Sequence, residues 1–199
     1  CGTVRRSAGL PNSRSRDVPS DLPALVCTLH CERPPIHHRY MRNQHNLVTV
    51  FIENEAGTNI KHHYDESTFS VRRTERVGAT YPFPYGFIPE THAPDGDAVD
   101  CFVLTDRHLG TGTTVEALPI AFIEQTEAGS IDHNVLAILP GEPALDLDGA
   151  VAQIVAFIAA FRAGDPDRVS HIGRTLASDD AFAYITAGRA AYEERRTRM

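Results

Sequence analysis

The chain has 199 residues, 42% hydrophobic and 23% charged, which suits one domain of ordinary size with a buried core. Residues 1–45 carry seven Arg against three acids, whereas residues 46–199 carry twelve Lys or Arg against twenty-three acids. An acidic body argues against duplex nucleic acid as a partner, and no run of eighteen apolar residues is present to span a membrane.

In chain order, residues 1–45 come first. They are rich in Arg, Ser, Pro and His without a sustained period, and read as a disordered or non-native N-terminal extension to a domain at 46–199. Cys27, His30, Cys31, His37 and His38 fall in this stretch, but their spacing fits no common zinc module. With only Cys101 in the acidic body there is no disulfide framework, so a reducing cytoplasm is the expected compartment. Cys101 lies in an apolar run and is expected to pack as a small hydrophobe.

From Leu47 onward the pattern predicts strands at Leu47–Glu53, around Lys61, and at Thr68–Arg72, Val99–Thr105, Thr113–Gln125 and Ile131–Leu139. Turn signals separate them at Ala56-Gly57, Pro82 to Gly86, Pro94 to Asp97, Gly110 to Gly112 and Pro140-Gly141. A helix capped by Asp146 or Asp148 is then predicted. It carries Val151, Ile154, Val155 and Ile158 on one face and stops near Gly164. A second starts at Ser178, turns Phe182 and Ile185 inward, and ends among Arg195, Arg196 and Arg198. Strands followed by helices predict an α+β domain, and short strands with Gly and Pro corners predict a small closed barrel.

The candidate chemistry lies in Asp95-Gly96-Asp97-Ala98-Val99-Asp100. Three carboxylates within six residues repel one another unless a cation sits among them. Pro94 and Gly96 favour a bend that lets all three converge, and hard oxygen ligands suit magnesium or manganese. From this triplet alone, a solvated acidic turn fits as well as a metal site. A calcium loop of the EF-hand kind fits less well, because Val99 and Asp100 stand where it needs an oxygen ligand and a glycine.

Upstream, Tyr81-Pro82-Phe83-Pro84-Tyr85-Gly86-Phe87-Ile88 forms a rigid corner, where Tyr is more often scaffold than catalyst. Lys61 is the single Lys among nineteen basic residues, a compact ammonium among planar forks. Arg72 and Arg73 follow, and an Arg beside Lys and Tyr can grip phosphate oxygens through a bidentate fork.

The ordered series of Glu53, Lys61, Arg73, the Tyr81 to Ile88 corner and the acidic motif at 95–100 resembles the family I soluble inorganic pyrophosphatases. The resemblance runs from Val48 to Leu139, and more loosely to the C-terminus. It implies an OB-like five-stranded barrel with flanking C-terminal helices, and hydrolysis of pyrophosphate to two phosphates by a magnesium-dependent, homo-oligomeric enzyme. By resemblance, Asp95 and Asp100 hold metal, and Asp97, a further metal candidate, positions or deprotonates the attacking water. Glu53, Glu127 and Asp132 serve further metals. Lys61, Arg73, Tyr85 and Arg162 hold phosphate oxygens, and Tyr81 supports the site.

The chain departs from the family pattern at several positions. Ala98 stands for Pro or Glu, His63 for a Glu, Asn134 for a Lys, Phe161 for a Tyr and Arg162 for a Lys. His63 can bind a metal, and imidazole then favours manganese or cobalt over magnesium; a surface His62-His63 pair is the plain alternative. The nucleophile-and-metal half is kept, and the half that grips the leaving phosphate is thinned. A second reading follows from those changes: a catalytically impaired relative that binds metal and pyrophosphate, or a protein partner, without turnover.

Overall fold

In the computed structural model, the described residues are 46–142, 145–161 and 169–198. The N-terminal extension with its Cys and His residues, and Arg162, lie outside them.

Alternation builds the sheet. Along β1 (Val48–Asn54), Val48, Val50 and Ile52 enter one core cluster, while Phe51 turns to the opposite side. Along β5 (Val99–Val103), Val99, Cys101 and Val103 join that first cluster and Phe102 joins a second. Buried Cys101 is a free thiol packed as a hydrophobe, as expected.

Five of the described strands close into a ring. β1 pairs antiparallel with β4 (Tyr85–Ile88), β4 with β5, and β5 runs parallel to β8 (Asn134–Ile138). β8 then pairs with β6 (Thr114–Glu127), and β6 returns to β1. β6 has 14 residues, long enough to meet β1 at Thr114–Ala117, β8 beyond it, and finally β7 (Ser130–Ile131) and β9 (Ser170–Ala177). Gly86 makes the β1–β4 seam possible, because a Cβ there would stand 1.8 Å from the Phe51 carbonyl oxygen.

A hairpin of β2 (Ile60–Asp65) and β3 (Ser70–Arg76) stands apart as a two-stranded sheet. β3 begins two residues later than the sequence predicts. The Asp65 carboxylate accepts from the backbone N–H of Ser67 (3.0 Å) and Thr68 (3.2 Å), so residues 66–69 belong to the turn.

α1 (Leu147–Phe161) buries Ala150, Ile154, Phe157 and Ile158 over the second cluster. This face is rotated from the expected one: Val151 and Val155 are half-buried, and the Phe157 ring takes the inner place. α2 (Ser178–Arg198) buries Ala181, Ile185 and Gly188 against the first cluster, and Phe182 is half-buried. A Cβ on Gly188 would stand 2.9 Å from Val99 Cγ2, so glycine sets how closely this helix approaches β5. β9 was not expected. Its Arg174 guanidinium donates to both Glu124 oxygens of β6 (3.0 and 2.6 Å), fastening it to the sheet edge. Among the described residues no helix is long and apolar enough to cross a membrane.

Candidate active site

A cleft of about 560 Å³ opens where several strand ends meet. β1 presents Glu53 next to its end, β2 presents Lys61 and His63, β3 presents Arg73, and β4 opens with Tyr85. Asp100 comes from β5, Glu127 from the end of β6, and Asp132 from the break between β7 and β8. Asp95 and Asp97 complete it from the loop before β5. Every described residue named from the sequence as a candidate therefore lines one cleft.

The acidic loop bends as Pro94 and Gly96 suggest. The Ala93 N–H donates to the Asp97 carbonyl (2.7 Å), and the Gly96 N–H donates to the Ala93 carbonyl (3.1 Å). Gly96 adopts φ +107°, a region that side chains rarely enter. The Asp97 N–H donates to Asp95 Oδ1 (3.2 Å), and Ala98 is buried with Phe51 and Phe87. A strand follows the loop, which removes the EF-hand alternative.

The electrostatics are those of crowded acids. Burial first, then the neighbouring Asp132, holds the Asp100 carboxyl well above its usual range, opposed by a hydrogen bond from Tyr85. Burial and the nearby Glu127 push Asp132 up to about 6. Glu53 is pushed up to about 7 by burial, against the pull of Lys61. Burial raises Asp95 as well. Tyr85 is buried, and burial with Asp100 beside it raises its phenol further, so it stays protonated and can donate.

This donor set fits a hard divalent cation, whose charge would offset the burial and mutual repulsion that raise these carboxyls. Among the described residues, no three His, Cys, Asp or Glu groups already form a cage for one ion.

Three of the departures from the family pattern, at 134, 63 and 161, have a local partner. The Asn134 amide is buried and donates to Gln125 Oε1 (2.9 Å) and the Asp132 carbonyl (3.2 Å), while Gln125 Nε2 donates to the Asp132 carboxylate. The residue replacing a lysine thus braces the Asp132 turn. His63 Nε2 bonds Glu75 Oε1 (3.1 Å), and burial lowers the imidazole's pKa, which favours the neutral form. The Phe161 ring lies 5.3 Å from Lys61 Nζ. Tyr81 is 2% exposed, with its ring against Tyr85 and Phe157, as expected for a supporting residue.

Sequence reasoning missed Glu66, Gln125 and Glu75. Glu66 lines the cleft from the β2–β3 turn and accepts from the Ala98 N–H (2.9 Å), tying the hairpin to the acidic loop. The only signal for it was an acid directly after a strand that carries Lys61.

A five-strand ring with two helices and one acid-lined cleft defines an α+β protein equipped for cation and phosphate chemistry. The inorganic pyrophosphatase family model matches residues 50–192, and the chain belongs to that family. An inorganic pyrophosphatase of Saccharolobus solfataricus is 43% identical over 93 residues, covering 46% of this chain and 54% of the relative. Another from Sulfolobus acidocaldarius is 35% identical over 99 residues, covering 49% and 57%. The chain spans about half the length of these curated relatives. The crystal structure of an inorganic pyrophosphatase from Thermus thermophilus superposes with a TM-score of 0.68 at 24% identity, over 76% of this chain and 94% of that one, which shows a shared fold.

Proposed function

We propose that residues 46–199 form a domain that hydrolyses inorganic pyrophosphate to two phosphates. The observation that carries this reading is the convergence of seven carboxylates, Glu53, Glu66, Asp95, Asp97, Asp100, Glu127 and Asp132, with Lys61, Arg73 and Tyr85 in one cleft. Asp95, Asp100, Asp132, Glu53 and Glu127 would hold magnesium, with manganese or cobalt as substitutes, and His63 is a further candidate donor. Bound there, such ions lower the pKa of the attacking water and screen phosphate charge.

The chain's own residues do the rest. Lys61 and Arg73 neutralise and align phosphate oxygens, the arginine through its fork. Tyr85 stays protonated and donates a hydrogen bond from its phenol. Asp97 accepts the proton of the water as its oxygen bonds to one phosphorus and the bridging P–O bond breaks. Arg162 would supply a further phosphate contact. A cytoplasmic assembly of identical copies belongs to the same reading.

Phosphate release from pyrophosphate, with magnesium, manganese or cobalt added to chelator-treated protein, tests it. Turnover that requires a divalent cation supports it. The partner contacts of Asn134 and Phe161 keep a second reading in play: binding without turnover. Calorimetric pyrophosphate binding with no phosphate release would select that one, and no binding would count against both.

A further inference from the structure

In the β2–β3 hairpin, Lys61 is the register partner of Glu75 and His63 that of Arg73. These four side chains therefore share one face. Lys61, His63 and Arg73 line the cleft, and Glu75 bonds two of them. Its Oε1 meets His63 Nε2 at 3.1 Å and its Oε2 accepts from Arg73 Nη1 at 3.1 Å. The family resemblance places an acid at 63; here an imidazole stands at 63 and the carboxylate comes from the neighbouring strand.

β3 is exposed along nearly its whole length, so packing does not hold Arg73 in place. The Arg73 side chain is 57% exposed and that of Glu75 only 25%. An exposed ion pair by itself contributes little. Glu75 differs from such a pair in binding two cleft residues at once, one through each oxygen. It uses one Nη of Arg73 and leaves the other guanidinium donors free for a phosphate fork.

We propose that Glu75 is a positioning residue that fixes Arg73 and His63 at the cleft before pyrophosphate arrives. The proposal rests on the pyrophosphate reading of this site. Ordering a long arginine in advance removes part of the entropy that substrate binding would otherwise lose. The effect belongs to binding rather than to the chemical step.

Glu75→Gln tests this, since it keeps size and hydrogen-bonding atoms while removing charge. The expected result is a KM for pyrophosphate raised about tenfold with kcat within about twofold, as for a lost pre-ordering contact. The double variant Arg73→Gln with Glu75→Gln should bind no worse than Arg73→Gln alone, because Glu75 acts through Arg73. A merely structural role would lower the melting temperature and give additive losses. An unchanged or lowered KM in Glu75→Gln overturns the proposal, the lowered value meaning that the carboxylate only competes with phosphate. Additive single effects overturn it too. If the wild-type protein binds pyrophosphate without hydrolysing it, the activity reading fails. The same cycle, read by calorimetric pyrophosphate affinity, then decides this one: coupling sustains it and additivity overturns it.

Discussion

The ammonium of Lys61 stands 5.3 Å from the centre of the Phe161 ring, so the C-terminal end of α1 meets β2 at the edge of the cleft. The family resemblance expects a Tyr at 161, and Phe161 lines the same cavity as Arg73 and Asp97. The ring keeps its hold on the lysine while the hydroxyl is gone.

Phe161→Tyr should therefore improve substrate binding. One added hydrogen bond is worth about 1 kcal/mol, or roughly a fivefold lower KM for pyrophosphate. Steady-state kinetics on the two proteins check it. An unchanged KM would mean that position 161 does not reach the substrate.

Gly86→Ala should damage the whole ring. The new methyl would stand 1.8 Å from the Phe51 carbonyl oxygen, and the nearest backbone on that side is β1 itself. Overpacking of this kind costs about 3 kcal/mol or more, because a strand and not a side chain must move. Denaturant unfolding should show an earlier midpoint. A normal midpoint would show that the β1–β4 seam is looser than described.

Metal removal should make stability depend on pH in a defined direction. Burial raises Glu53 from 4.5 to about 7 and Asp132 from 3.8 to about 6. The unfolded chain gives up these protons at lower pH than the folded one. The contribution of each group is therefore fully present below its unfolded value and lost as pH rises through its folded value. Chelator-treated protein should lose melting temperature between about pH 4 and pH 7 from these groups, and added magnesium should restore most at the upper end. A melting temperature that climbs across that window without metal, or a magnesium effect that is greatest at low pH, would contradict the assignment.

What the sequence made legible depended on how local the information was. Asp95, Asp97 and Asp100 could be read because they are contiguous and flanked by Pro94 and Gly96, whose backbone preferences dictate the bend. Glu53, Lys61, Arg73 and Tyr85 could be placed because they stand in order relative to that motif. Glu75 could not, since its meaning arises only once the hairpin register sets it opposite Lys61 and beside Arg73. The register also shifts between His63 and Tyr64, which no sequence period announces. β9 was hidden for a similar reason: Ser170 to Ala177 is largely exposed and includes Gly173, and its place rests on β6 and the Glu124–Arg174 pair. The buried face of α1 was read in part: Ile154 and Ile158 point inward as expected, but Ala150 and Phe157 take the places given to Val151 and Val155, and the Phe157 ring meets Tyr81 and Phe102.

The most direct test of the central claim is the rate of phosphate release from pyrophosphate by Asp97→Asn beside the wild type, at saturating magnesium. Asp97 lies on the acidic loop with its backbone N–H on Asp95, so the substitution should leave the fold unchanged. Loss of a positioned proton acceptor predicts a fall of about 10²- to 10⁴-fold in kcat. An unchanged rate in Asp97→Asn would contradict the account.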